Sequence, residues 1–172
     1  MDQSKLIEIT HIFVSDGHNF AGNQEKNPDM FPGIDMDVVE AVKDSGLRGD
    51  RYFRQDPDFD GHVTFFQQEV HDELKAAFGL NWLTADRYRR NVCVKGFDIH
   101  TLVGKEFSIN GVHFYATELA EPCRWMNVSV NPEAEKFLKG RAGIRAQILS
   151  TGFLRKGFAE LVMTSAQTEM AF

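Results

Sequence analysis

The sequence predicts a mainly β fold with helical insertions (α+β), which we expect to close into a β-barrel. Three observations favour this fold: many short alternating segments, one clear hairpin, and only two segments typical of helices. The 172 residues are enough for one domain with a sizeable core. We expect that domain to span residues 1–172, with its motifs within about 5–163 and a loose tail over 164–172.

The N-terminal part of the chain predicts two strands separated by a long loop. Residues 5–14 alternate around apolar side chains and predict the opening strand. Residues 15–33 are rich in Gly, Asn, Asp and Pro and predict a loop; a loop of this length is usually functional or mobile. Residues 35–42 predict the next strand.

The first helix is predicted after residue 64. Thr64 and Gln67 have the spacing of a capping box, which introduces a helix. We expect this helix to continue to about Phe78 and to stop at Gly79.

The clearest local signal is a hairpin. After a short predicted strand at 91–95, residues 105–109 and 112–118 flank the pair Asn110-Gly111. An Asn-Gly pair favours the type I′ turn of a two-residue hairpin.

The last third predicts a second helix and a closing hairpin. Asn131 is the expected N-cap, proline follows at the first helical position, and Gly140 lies past the end. Residues 144–150 and 158–163 predict two strands that pair with each other.

Composition and charge indicate a soluble protein that binds a small anion. No run of about 18 apolar residues predicts a membrane span, and the polar N-terminus lacks the layout of a signal peptide. Two cysteines do not make a disulfide framework, so we expect a cytoplasmic protein. The net charge is −6, yet every arginine lies at Arg48 or later. Locally pooled arginines suit phosphate or carboxylate, whereas nucleic acid would require a broad basic surface.

The two cysteines differ in their surroundings. Cys123 lies in Glu-Pro-Cys-Arg-Trp, and because a cation next to a thiol in general favours the reactive thiolate, we expect Cys123 to be usable as nucleophile or metal ligand. Cys93 lies in an apolar Val-Cys-Val run and is expected in the core. An inert, buried Cys123 or a Cys93–Cys123 disulfide are the alternatives.

Short Gly- and Arg-containing motifs supply the anion-binding candidates. Two arginines flank Asp50, which can orient a guanidinium by a charge-assisted bond, and Gly143 lies between two further arginines in a turn typical of anion cradles. His18 and Asn19 lie in the long loop, where His18 is a candidate ligand or proton donor. Each motif also has a simpler interpretation as a turn with solvated charges. The six histidines lack zinc-site spacing, and no phosphate-loop or nucleophile-elbow motif is present.

Taken in order, these motifs resemble the MOSC family, named for the C-terminal domain of molybdenum cofactor sulfurase. The matching segments are 17–20, 46–51, 90–91, 96–98, 102–104, 107–111, 122–123 and 140–145. The resemblance implies a closed barrel of the MOSC, or pyruvate-kinase-barrel-like, type. It also implies the molybdenum cofactor (molybdopterin), with Cys123 as the catalytic residue, either a molybdenum ligand or a persulfide sulfur carrier. Pyridoxal phosphate belongs to a domain fused to some relatives and is not expected in this chain.

Together with the motifs above, the resemblance defines the candidate cofactor-binding set. Its members are Arg48, Asp50, Arg51, Arg90, Asn91, Arg124, Arg141, Gly143, Arg145, His18 and Asn19.

The resemblance implies reduction of N-hydroxylated small molecules with an electron-donor protein, or sulfur transfer with a cysteine desulfurase. Nucleic acid and membrane are not expected partners. Two other classes stay open: a non-catalytic anion-binding module in which Cys123 is incidental, and a thiol-redox protein.

Overall fold

The protein is described here by a computed structural model that covers residues 3–17, 20–21, 24–25, 33–54 and 61–165. The predicted site residues His18 and Asn19 lie outside these described residues. So do most of the predicted loop over 15–33 and most of the predicted tail over 164–172.

The described residues form short strands and three α-helices. The strands are β1 (Gln3–Val14), β2 (Phe20–Ala21), β3 (Gln24–Glu25), β4 (Ile34–Asp35), β5 (Val38–Val42), β6 (Gly46–Leu47), β7 (Val63–Gln67), β8 (Val92–Lys95), β9 (Glu106–Ile109), β10 (Val112–Leu119), β11 (Ile144–Ile148), β12 (Gly152–Arg155) and β13 (Gly157–Met163). The helices are α1 (Gln68–Phe78), α2 (Arg124–Ser129) and α3 (Ala134–Phe137), with short 3-10 turns at Ala85–Tyr88 and Ile99–Leu102.

Seven strands close into a barrel in the order β13-β9-β10-β11-β7-β8-β1, and β1 pairs back onto β13. β7 and β8 are parallel, while the other neighbours in the barrel are antiparallel. A parallel pair needs a long crossover, and α1 with the turn after it supplies that connection. The prediction of a closed, mainly β barrel is therefore confirmed.

Smaller sheets flank the barrel. β12, β5 and β6 form a three-stranded sheet, and β2 pairs with β3. β4 adds two residues to the edge of β1. The predicted strand over 35–42 is thus divided into β4 and β5, which join different sheets.

Two apolar clusters lie on opposite sides of the barrel wall. The barrel cluster fills the inside and includes Phe65, Phe107 and Phe114, whose rings contact one another at centroid distances of 5.2–5.6 Å. The outer cluster lies between the wall and the helices and includes Phe66 and Tyr88, stacked at 4.3 Å. Because successive residues of a strand face opposite sides, β7 contributes Phe65 to one cluster and Phe66 to the other.

The hairpin prediction is confirmed. β9 and β10 pair with Ile109 opposite Val112, so Asn110 and Gly111 alone form the turn. Both turn residues have positive φ, 47° and 83°, as a type I′ turn requires. The opening strand and the stop of α1 at Gly79, with φ 63°, are confirmed as well.

The capping-box prediction is wrong. Residues 64–67 belong to β7, and α1 begins at Gln68 without a side-chain cap. The Thr64 hydroxyl instead donates to Asn91 Oδ1 at 3.1 Å and accepts from the Asn91 N–H at 3.0 Å. The strand prevails because both of its faces are buried, one in each apolar cluster.

Two predictions for the last third are also corrected. The helix expected from Asn131 to Gly140 contains only α3, although Asn131 Oδ1 does accept the Glu133 N–H at 2.9 Å. β11 and β13 do not form a hairpin, because β11 pairs with β10 and β7 while β13 pairs with β9 and β1. β12 lies between them in the chain and pairs with β5. Among the described residues, no helix is both long and apolar enough to cross a membrane.

Candidate functional site

The exposed thiol of Cys123 lies where the barrel wall passes into α2. β10 ends at Leu119, and Cys123 is the N-cap of α2, with its carbonyl accepting the Met126 N–H at 2.9 Å. β10 contains a bulge between Ala116 and Glu118, shortly before this loop. The geometry presents Cys123 to solvent on a short, fixed segment.

The second thiol is unavailable. Cys93 is fully buried in the outer cluster, and burial raises the pKa of its thiol far above the usual value. The two cysteines of the chain are both free, one buried and one exposed. Chemistry that requires a thiol at the surface therefore rests on Cys123.

Arg90 fastens the Cys123 loop to the barrel. Its Nε donates to the Ala142 carbonyl at 2.9 Å, Nη1 to Tyr88 at 3.4 Å and Nη2 to Glu121 at 3.2 Å. Burial, and next the nearby charge of Arg145, lower the pKa of Arg90 to about 10, and Cys123 opposes that decrease. The guanidinium thus joins three backbone segments by hydrogen bonds and lies within electrostatic range of the Cys123 thiol.

Two more arginines lie beside Arg90. Arg89 has a left-handed backbone, φ 60°, and its Nη2 donates to the Gly17 carbonyl at 2.6 Å. Arg51 Nη2 donates to the Arg89 carbonyl at 3.4 Å, and its side chain is only 8% exposed. Burial, and next the charge of Arg51, lower the pKa of Arg89 to about 10. Arg51, Arg89 and Arg90 line, together with Asp86, one narrow crevice of about 10 Å³, which we call the arginine crevice.

Asp50 lies next to the arginine crevice and contacts Arg51. Its side chain is buried, and Oδ1 accepts the Ser15 N–H at 3.0 Å and lies 3.4 Å from Arg51 Nη1. Three guanidinium groups thus lie near two carboxylates, Asp50 and Asp86, which offset part of their positive charge. Left-handed non-glycine residues such as Arg89 are also concentrated at functional sites.

Gly143, directly before β11, lies very close to the backbone of β7. With φ 98°, it lies so near β7 that a Cβ there would be 2.1 Å from the Phe65 carbonyl oxygen. Its N–H donates to His100 Nε2 at 3.2 Å, while His100 Nδ1 lies 2.9 Å from Asp98. Its carbonyl accepts the Ala120 N–H at 2.9 Å. Gly143 therefore anchors the start of the Cys123 loop, and its N–H is already used.

The other predicted site residues divide into a near and a remote set. Arg145 lies within electrostatic range of Arg90 and is 41% exposed, and Arg124 follows Cys123 on the exposed side of α2. Arg48 bonds Glu40 at 2.7 Å, and Arg141 bonds Glu73 at 2.8 Å, so both are directed to acids of other elements. Their assignment to ligand binding stays a prediction.

Asn91 is committed to the fold. Its Oδ1 accepts both the N–H and the hydroxyl of Thr64, and its Nδ2 donates to the Phe13 carbonyl at 3.1 Å. The side chain is buried and joins β1, β7 and the entrance of β8. It positions the neighbouring Arg90 through the backbone.

A cavity of about 350 Å³ opens next to the cysteine loop. Glu121 and Pro122 form one wall, and Lys136 and Lys139 of the α3 region form another. Its volume is in the range typical of small-molecule sites. No sequence motif predicts this cavity, because α2, which contributes Asn127 to it, is not predicted from the sequence.

The sequence does not single out Arg89 or His100, whereas Trp125 is expected from the sequence as a pocket wall beside Cys123. Nothing in the sequence distinguishes Arg89 from a solvated arginine, and the bond from Gly143 to His100 joins residues 43 positions apart. Trp125 follows Cys123 by two positions and is buried. Its aromatic type next to a candidate thiol was the one available signal.

Comparison with known proteins places this architecture among described folds. The family model for the MOSC domain matches residues 49–159. The YUAD protein from Bacillus subtilis has a similar structure, with a TM-score of 0.73 at 16% identity over 96% of this chain and 100% of that one. YiiM from Geobacillus stearothermophilus (TM-score 0.64, 14% identity, 95% and 77% covered) and YiiM from Escherichia coli (0.62, 14%, 95% and 70%) are similar too. No curated protein sequence matches the chain.

Proposed function

The chain belongs to the MOSC domain family, and on that premise we propose that it binds the molybdenum cofactor with Cys123 as its metal ligand. The observation that carries the proposal is the position of the one exposed thiol, which lies within electrostatic range of Arg90 in the arginine crevice. A soft thiolate donor and a set of guanidinium groups match the two ends of this cofactor, its metal and its phosphate.

The residues fit such a ligand in charge as well as in chemistry. The charge of Arg51 disfavours that of Arg89, Asp50 and Asp86 oppose this effect, and a bound phosphate would stabilise the charged guanidinium further. Arg90 holds the cysteine loop through the Glu121 carbonyl, so the thiol and the crevice keep a fixed relation. Arg145 and Arg124 lie at the exposed side, where they would contact the outer part of a ligand.

For the reaction, we propose two-electron reduction of an N-hydroxylated small molecule. The N–O bond breaks and two electrons and two protons are consumed, which gives the amine and one water. The bound cofactor would supply the two-electron centre, and an electron-donor protein would have to reload it. The chain itself contributes the cavity beside Cys123, whose paired Glu and Lys walls suit a polar substrate.

A second candidate is sulfur transfer, which the exposure of Cys123 at the start of α2 favours. The thiolate would attack the outer sulfur of a persulfide on a cysteine desulfurase. The donor's S–S bond breaks, its cysteine thiolate leaves, and Cys123 carries the sulfur as a persulfide without net oxidation. A protein donor can reach a thiol only where it is exposed.

The test is cofactor content in wild-type protein and in Cys123→Ala, both made in a host that synthesises the cofactor. We expect molybdenum and pterin in the wild type, and loss of molybdenum in Cys123→Ala. Cys93→Ala is the matched control, because it removes the other thiol and should keep both components. Equal molybdenum in Cys123→Ala would rule out the ligand role. Pterin without Cys123-dependent metal, together with an added sulfur on Cys123 by mass spectrometry, would favour the sulfur carrier.

A further inference from the structure

Trp125, two residues after Cys123, has a buried hydrogen-bond donor for which the described part of the chain offers no partner. The residue is 3% exposed, yet its indole Nε1 has no hydrogen-bond partner among the described residues. Buried tryptophan N–H groups normally find a partner, as the buried Tyr88 hydroxyl does with His71 at 2.8 Å. Trp125 is also absent from both apolar clusters, so apolar packing alone does not explain its place.

The geometry of α2 indicates where this donor lies. Ser129 is one helical turn after Trp125 on the same face, and its hydroxyl donates to the Arg87 carbonyl at 3.1 Å. That face is therefore turned toward the segment that continues into Arg89 and Arg90. Helical side chains lean toward the N-terminus, which for α2 is the end capped by Cys123. The indole thus lies on the face of α2 that packs toward the Arg87 segment, at the end of the helix that Cys123 caps.

We propose that the Trp125 indole N–H is a binding donor for an oxyanion held between Cys123 and the arginine crevice. The inference rests on the proposed function and extends it, because it adds a neutral donor to a set of cations. The shared chemistry is an oxygen of a tetrahedral oxyanion, either a phosphate or an oxo group of molybdate type. A charged acceptor makes the strongest hydrogen bond to such a donor, especially away from water.

The experiment observes the donor itself in full-length protein labelled with ¹⁵N at the tryptophan indoles. The chain has two tryptophans, and Trp82 is 56% exposed. Trp82→Phe assigns the remaining indole signal to Trp125. Titration with inorganic molybdate, against chloride at equal ionic strength, should move the Trp125 N–H proton downfield in a saturable way. The Trp82 signal of the wild type should not move.

Affinity gives the second measurement. Trp125→Phe keeps the aromatic bulk but removes the N–H, and we expect molybdate to bind about 10-fold more weakly, the effect of one hydrogen bond to a charged group. Trp82→Phe, the matched control, should bind as the wild type does. Because Trp125 is buried, thermal unfolding of the variant is recorded alongside. The wild-type indole shift remains decisive if Trp125→Phe fails to fold.

The outcomes separate this inference from the proposed function. A Trp125 shift with molybdate in a protein that never contains pterin would support the oxyanion donor and count against the cofactor. Protein that contains pterin, but whose Trp125 signal is the same before and after the cofactor is stripped, would overturn the donor and leave the cofactor proposal intact. No Trp125 response to molybdate, and none to loss of the cofactor, overturns the inference.

Discussion

The barrel cluster and the outer cluster share strands β1, β7 and β8 but are stabilised differently. The barrel cluster is wholly apolar and contains stacked and edge-on phenylalanines. The outer cluster adjoins buried polar groups, among them the His71–Tyr88 pair and the Arg90 guanidinium. Burial of apolar surface stabilises the barrel cluster. The outer side is stabilised by apolar burial and also by hydrogen bonds, which replace those that its buried polar groups would make to water. The difference teaches that the barrel cluster mainly stabilises the fold, whereas the outer side positions the Cys123 loop and carries the charged Arg90.

The largest effect is expected at the contact between the two regions, in Gly143→Ala. A Cβ there would overlap the Phe65 carbonyl, so we expect a loss of more than about 4 kcal/mol in the free energy of unfolding. Gly140→Ala is the matched control, because it also has positive φ but nothing within 4 Å. It should cost about 1 kcal/mol. Urea unfolding measures both, and equal costs would contradict the close approach.

Inside the barrel, Phe114→Ala should cost about 4 kcal/mol, since it removes a fully buried ring from the barrel cluster. Phe158 is 75% exposed, and Phe158→Ala should change the free energy of unfolding by less than about 0.5 kcal/mol. Cofactor content per folded molecule should stay the same in both variants. A selective loss of cofactor in Phe114→Ala would show that the barrel interior also shapes the site.

On the outer side, Arg90→Lys should cost about 2 kcal/mol, because an ammonium cannot reach all three carbonyls that the fork reaches. Arg141→Lys is the control, since its partner Glu73 is 60% exposed and such pairs contribute less than about 1 kcal/mol. Labelling of Cys123 with a thiol reagent should become faster in Arg90→Lys alone. An unchanged rate would mean that the cysteine loop does not depend on this tie.

The smallest effect concerns pH and His71. Burial is the first cause that lowers the pKa of His71 below its usual 6.5, so the folded protein holds this ring neutral. As pH falls below 6.5, the unfolded chain takes up a proton that the folded protein does not, until the lowered pKa is reached. Stability should therefore decline over that window, by at most about 1.4 kcal/mol per pH unit. His71→Gln should flatten the decline, and His113→Gln, at an exposed position, should not.

Local chemistry predicted those parts of the fold that neighbouring residues determine. Asn110-Gly111 was sufficient for the hairpin, and the alternation of the first strand was sufficient for β1. Thr64 misled because its capping spacing coincides with a strand buried on both faces, and only the two clusters decide between helix and strand. The pairing of β13 with β1 joins residues up to 160 positions apart, and no local signal specifies it.

The candidate site shows the same division. The sequence singled out Cys123 from its immediate neighbours, and its exposure agrees with that interpretation. The sequence did not distinguish Arg90 from Arg141. Arg90 bonds three carbonyls and Arg141 pairs with Glu73 at the surface, and these partners come from distant segments of the chain. The unpaired indole of Trp125 is a property of its surroundings rather than of its sequence.

The pairing of β1 with β13 has a consequence for the time at which the candidate site is assembled during synthesis. Gln3 is opposite Met163, so β1 waits for β13, which is translated after all the other barrel strands, before the ring of strands can close. Arg90 likewise depends on Ala142, which is made 52 residues later. A nascent chain that has reached Cys123 therefore carries a thiol without its surroundings. Loading of any ligand is consequently a step that follows synthesis through Met163, and a chain interrupted before that strand exposes the cysteine without a site around it.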